Sequence, residues 1–373
     1  TLTFNPTGTS TVYMGGIVGY TTQKRSATIT NCTNAADIVN SCVGNNHNMG
    51  GIVGLNSAGN GHPLTITGTI GTDTNSGNIL CKVGLSGTGG KSRNTVAGII
   101  GSIGGGTSTS TYNVMATIEN CTNSGKVQFG NITFGGRVDM AGICALNGSY
   151  SIGTKISGCV NKGTVVFDAV CASTSKEISF GGIIGTAQAT ALIIDCTNEA
   201  EILSNGASKS NYELGGIAGS SSGTGVEIIN CVNKSAVTMS RASGGTTQIG
   251  GIIGYAYTYG AIRGCANYGT VTGYAKAQTG VGGIAGYARQ KVAAGSTAYI
   301  THCYNEGEVH AKGTGALVGV GGAIGIPYGV ESGAADFSEL VNVGKIVYTA
   351  TASDPGIGGL LGHDRNKAST TIK

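Results

Sequence analysis

Two phrases decide how this chain folds: Met14-Gly15-Gly16-Ile17-Val18-Gly19 and Asn120-Cys121-Thr122-Asn123-Ser124-Gly125-Lys126-Val127. The first recurs with its leading Gly or Ala at Gly50, Ala97, Ala141, Gly181, Gly215, Gly250, Gly282, Gly321 and Gly358, at intervals of 32–47 residues. A version of the second follows each of the first nine copies. A period of that length over a whole chain marks a stacked repeat, in which each unit buries its apolar face only against its neighbours. The pattern therefore speaks sharply about architecture and softly about activity.

Within one unit, short runs rich in Val, Ile and Thr are punctuated by Gly and Asn. Lys155-Ile156-Ser157-Gly158-Cys159 and Thr164-Val165-Val166-Phe167 are examples. No run carries helical periodicity, so the units read as short strands. Strands repeated in register pair with their equivalents one rung away, about 4.8 Å apart. The expectation is an all-β fold, a β-solenoid resembling a parallel β-helix. About ten rungs form a rod of roughly 45–50 Å, with a narrow core of Ile, Val and Cys.

Composition closes off several classes. The 373 residues include 68 Gly without a Gly-X-Y period, which excludes collagen. At 40% apolar and 11% charged, the chain is too apolar for disorder. Its net charge of +4 comes from scattered residues with no basic stripe, so no nucleic-acid partner is expected. No segment has the ~18 consecutive apolar residues of a transmembrane helix. No Pro-rich or charged linker interrupts the repeat, so residues 1–373 are read as one domain. Ser369-Thr370-Thr371-Ile372-Lys373 matches Ser26-Ala27-Thr28-Ile29-Thr30 in mid-repeat, and a fragment of a longer protein is expected.

Individual positions acquire roles from the repeat. Asn34, Asn75, Asn123, Asn161, Asn198, Asn233, Asn267, Asn305 and Asn342 fall at one place. They are expected at a left-handed corner, with their amides paired rung to rung. Of 11 Cys, seven share a position: Cys32, Cys121, Cys159, Cys196, Cys231, Cys265 and Cys303. An inward, reduced column is expected, since in-register side chains rarely present disulfide torsions. There is no Cys-x-x-Cys and the five His do not cluster near these positions, so neither a metal nor another cofactor is expected. Lys162, Glu199 and Lys234, each following a column Asn, predict an exposed ladder of alternating charge. Glu199 with Glu201 and Glu306 with Glu308 merely flank corner residues, and no acidic cluster converges across rungs.

The paired phrases, best preserved in Gly250–Val271 and Gly282–Val309, resemble the GLUG-motif repeats of bacterial surface proteins. The resemblance spans essentially the whole chain in about ten copies, although Ala97 and Ala141 replace a Gly and the second copy lacks its Cys. It implies a secreted or cell-surface protein, adhesin-like, whose repeats serve as stalk or binding region. It carries over no catalytic residue.

In a solenoid the variable loops form the binding face. Here they include Lys82–Thr95, Ser102–Met115, Asp168–Ser179 and Tyr287–Ala298. Eight of the 15 Tyr lie between Tyr255 and Tyr304. Equivalent positions place Tyr255 near Tyr287 and Tyr257 near Arg289, with Tyr259 and Tyr299 in the same loop set. This exposed row suits a sugar chain or protein patch, each Tyr offering an apolar face and a polar tip. Its truncation at Tyr255→Ala is expected to leave the melting temperature nearly unchanged. The first functional expectation is a non-catalytic, exported repeat domain, a bacterial adhesin or stalk at the cell surface or outside the cell. Its partners would be glycan or glycoprotein, with neighbouring domains or another copy at the solenoid ends. The alternative is a polysaccharide-acting β-helix enzyme, a lyase or hydrolase. An ice-binding face, begun by Thr28/Thr30 and Thr65/Thr67, is broken by Lys155/Ser157 and Ala261/Arg263.

Overall fold

The computed structural model describes residues 1–4, 11–21, 27–41, 46–56, 65–71, 73–81, 93–104, 113–130, 133–149, 151–171, 176–206, 209–223, 225–241, 244–257, 260–290, 297–315, 317–329, 334–364 and 370–372. Among them there is no helix. One rung shows the plan: Asn211–Gly215, Ala218–Ser221, Val226–Ile229, Val232–Asn233 and Val237–Met239. Each strand pairs in parallel with its equivalents above and below. The results are sheets 1 to 5, in that order, of ten, nine, ten, nine and ten strands. A two-stranded pair, Thr133–Phe134 with Val170–Cys171, lies outside them. The chain is a β-solenoid whose long sheets are all parallel.

The register follows the sequence repeat. Gly181 pairs with Gly215, Gly215 with Gly250, Asn198 with Asn233 and Val237 with Val271. One interior was expected, but the rod has two. Sheets 2, 3 and 4 enclose the predicted Ile and Cys column, with Ile252, Ile253, Ile262 and Cys265 in one rung. Sheets 1 and 5 enclose a second core with larger side chains, including Phe129, Phe167, Phe180, Tyr212 and Met140. Phe129 stacks on Phe167 at 5.9 Å between centroids, and Tyr212 meets Phe180 edge-on.

The two cores are divided by the paired phrases themselves. The column Asn side chains point inward from sheet 4, and Asn75 through Asn305 are completely buried. Each amide donates to the next rung's carbonyl oxygen, from Asn34 to Asn342, in eight links of 2.7–2.9 Å. Most also donate to the carbonyl two residues on, as Asn233 does to Ser235. Opposite each Asn stands the second Gly of the first phrase. A Cβ on Gly251 would overlap the Asn267 side chain, as one on Gly216 would overlap Asn233. The predicted ladder is therefore present, but at a buried waist rather than an outer corner. The left-handed residues lie three positions earlier, at Asn120, Asp195 and Asn230 among others, with φ of 52–54°.

The Cys column packs as expected, with Cys121 to Cys303 buried and Cys32 half-buried. The thiols donate to carbonyls two residues back, at 3.3–3.5 Å. No disulfide joins any two of the ten described cysteines. Among the described residues, no helix is long and apolar enough to cross a membrane.

Candidate cleft between sheets 1 and 2

After the Gly-Gly bend, sheet 2 folds back along the outer face of sheet 1. The third Gly of the phrase permits this close approach: a Cβ on Gly254 would lie 2.5 Å from the Leu214 backbone nitrogen. The side chains of sheet 1 that alternate away from its core are thus covered. They form the column Asn48, Thr95, Asp139, Ser179, Glu213, Gln248, and all are buried. The facing column on sheet 2 runs Leu146, Thr186, Ser220, Tyr255, Tyr287, Ile326. Tyr13 stacked on Tyr20 at 4.6 Å fills the first rung. Towards the other end, Ile326 packs against Gly319 and Gly280. Between these ends lies a cavity of about 280 Å³, lined by Arg93, Asp139, Glu177, Glu213 and Tyr255 among others.

The cavity's charges are tightly arranged. Arg93 grips Asp139 with two bonds, Nε to Oδ2 at 2.5 Å and Nη2 to Oδ1 at 2.9 Å. Thr186 Oγ1 donates to the same Oδ1 at 2.5 Å. At the mouth, Arg137 and Glu177 form a half-exposed ion pair at 2.7 Å. Hydroxyls run from Thr186 to Ser220 (3.2 Å) and from Ser220 to Ser179 (2.9 Å). They end at Glu213, which accepts from Ser179 at 3.0 Å. No described basic side chain forms an ion pair with Glu213. Burial, with Glu177 and Asp139 adding to it against the hydroxyl bonds, pushes its carboxyl up to about 7.

That shift links stability to pH. An unfolded Glu ionises near 4.5, whereas the folded one holds its proton to about 7. The folded state binds more protons over this interval, so its stability falls as pH rises through it. The expected loss is roughly 3 kcal/mol. Urea unfolding at pH 5 and pH 8 should show this difference in the wild type and a flatter profile in Glu213→Gln. Equal pH dependence in both would assign the loss to other groups.

The predicted aromatic residues flank the same cleft. Tyr255 and Tyr287 are register partners with centroids 5.4 Å apart, and Tyr257 lies 5.7 Å from Tyr255. The Arg289 guanidinium sits 4.8 Å from the centre of the Tyr257 ring and 5.4 Å from that of Tyr328. The pairing of Tyr257 with Arg289 was legible; the contribution of Tyr328 was not. The row is less exposed than expected. Tyr287 is buried and Tyr255 half-buried, because sheet 1 covers the face they occupy. Burial also raises the Tyr255 phenol's pKa. Tyr255→Ala would therefore cost packing, contrary to the expected neutral change. Tyr299 is exposed but stands on sheet 3, paired with Ala261 and Asp336. Tyr259 lies outside the described residues, as do 82–92, 105–112, 172–175 and 291–296 of the variable loops.

The converging charges correct another expectation. Asp139 and Glu213 each stand two residues before the leading Ala or Gly of their phrase, in separate rungs, and only stacking unites them. The predicted charge ladder is present elsewhere, on sheet 4's outer surface. Glu199 lies 3.0 Å from Lys234 and 4.0 Å from Lys162, and its pKa is lowered by the Lys234 hydrogen bond.

No curated protein and no solved structure matches this chain. The GLUG motif matches residues 10–39, which cover the first Gly-Gly phrase, the strand after it and the first column Asn. Since the strand register carries that unit from rung to rung, this chain is a GLUG-motif repeat protein.

Proposed function

We propose that this chain is a non-catalytic binding or stalk domain of an exported bacterial protein, adhesin-like, at the cell surface or outside the cell. It holds glycan on the aromatic rim of the sheet 1–sheet 2 cleft. The observation that carries this reading is the Arg289 guanidinium between Tyr257 and Tyr328, with Tyr255 and Tyr287 packed behind. Rings held by neighbouring rungs lose little conformational freedom on binding, and their faces suit the apolar side of a sugar ring. The rest of the rod serves as a rigid carrier for that rim.

A polysaccharide-cleaving enzyme is the second reading, favoured by the carboxyl groups of Asp139 and Glu213 in one cavity. Against it, both Asp139 oxygens are already occupied by Arg93 and Thr186, so this carboxylate is poorly placed to activate water.

A glycan and mucin array compares the wild type with Tyr257→Ala and Arg289→Ala, whose half-exposed side chains can be removed without emptying a core. Wild-type binding that falls at least tenfold in both variants is expected, as for anchors at a binding centre. Retained binding in both variants would move the site off this rim. Release of new reducing ends from a bound glycan would replace the first reading with the second.

A further inference from the structure

The cleft behind the rim is lined by three carboxyl groups, Asp139, Glu177 and Glu213, and by two guanidinium groups, Arg93 and Arg137. Arg93 answers Asp139, and Arg137 answers Glu177. Glu213, 6% exposed, has only hydroxyl partners. In the next rung of the same column, Gln248 is buried and lies outside the cavity's lining, so Glu213 is the last column residue that faces the open space. The Tyr255 ring forms part of the facing wall. A buried carboxyl beside the face of an aromatic ring presents negative potential from two sides. A primary ammonium answers both, with several N–H donors and a positive charge.

We propose that the cleft is a subsite for the ammonium group of an amino sugar, received by Glu213 and Tyr255. This rests on the glycan reading above and names the sugar class. The cavity, at about 280 Å³, lies near the lower limit of small-ligand sites, so it admits one sugar unit rather than a chain segment. The rest of the chain would lie across Tyr257 and Arg289 at the mouth. Asp139, held by Arg93, adds no uncompensated charge. Glu177 at the entrance is likewise neutralised by Arg137. The ligand's charge is therefore read chiefly by Glu213.

The test is calorimetric titration of the full chain at pH 7, where both the amino sugar and Glu213 are substantially charged, with three tetrasaccharides: β-1,4-linked glucosamine, its N-acetylated form and β-1,4-linked glucose. Titration with 1,4-diaminobutane is the fourth arm. The wild type should bind the amino form at least about tenfold more tightly than either neutral form, since the gain is one charge-assisted contact set. Glu213→Gln, equal in shape and checked for an unchanged fold by circular dichroism, should erase that preference. Tyr257→Ala should weaken all three sugars by a similar factor. Equal wild-type affinity for amino and N-acetyl forms, or a preference that persists in Glu213→Gln, overturns the proposal. Failure of every sugar alongside Glu213-dependent diamine binding would retain the ammonium pocket and remove the glycan reading. Failure of all four ligands would remove both.

Discussion

Asn233→Ala is expected to lower the unfolding free energy by about 3–5 kcal/mol. Its side chain accepts from Asn198 at 2.8 Å and donates to Asn267 at 2.7 Å and to the Ser235 carbonyl at 2.8 Å. Alanine leaves all three partners short of a bond. Asn198 and Asn267 are completely buried, so water cannot readily replace what they lose. Because the column runs between two cores, the lost volume also opens a void at the waist. The exposed neighbour Lys234, whose ammonium bridges only to solvated Glu199, provides the control: Lys234→Ala should leave the urea midpoint nearly unchanged. Equal losses in the two variants would contradict the buried ladder.

Gly216→Ala is expected to cost about 3 kcal/mol, the upper part of the range for overpacked interiors. The added methyl group would overlap both the Asn233 side chain and the Gly251 carbonyl oxygen. Neither has room to retreat, since the same contact repeats one rung above and below. Gly153 offers a contrast: a Cβ there meets nothing within 4 Å. Gly153→Ala should leave stability unchanged or raise it slightly, since alanine loses less backbone entropy in a strand. Thermal and urea unfolding of the two alanine variants checks the pair. A Gly216→Ala protein as stable as the Gly153→Ala protein would show that the waist is loosely packed.

These contacts explain why much of the fold was legible. A column position reads clearly when only one residue type satisfies it. Asn does so at the waist because it alone offers a short amide that both donates and accepts along the ladder. Gly does so opposite because nothing larger fits. Cys was legible for a weaker reason, as a small apolar side chain that other residues can replace. Asp73 does so in the second copy, where it accepts from the Cys32 backbone at 2.6 Å.

What escaped was the folding of sheet 2 onto sheet 1. Val138-Asp139-Met140 and Tyr212-Glu213-Leu214 alternate apolar and polar, the pattern of a strand with one solvated face. Sheet 2 covers that face, and nothing in a single unit announces it. The signal was available only by aligning the position two residues before the leading Gly or Ala: Asn48, Thr95, Asp139, Ser179, Glu213 and Gln248. A polar column so rich in short hydroxyls and amides is better suited to mutual hydrogen bonding than to a solvated surface. The Tyr255–Tyr287 and Tyr257–Arg289 contacts were legible, but Tyr299 stands on sheet 3, and the exposure of the row was misjudged because Tyr255 and Tyr287 belong to the covered side.

The most direct test of this architecture is hydrogen exchange of the asparagine side-chain amides, followed by NMR in protein labelled with ¹⁵N at Asn. The waist predicts that the column amides from Asn75 to Asn305 remain protonated about as long as the backbone amides of the neighbouring strands, because both open only when rungs separate. Side-chain amides that exchange at the rate of a solvated Asn, while the strand backbones stay protected, would place the ladder on the outside of the rod and contradict the account.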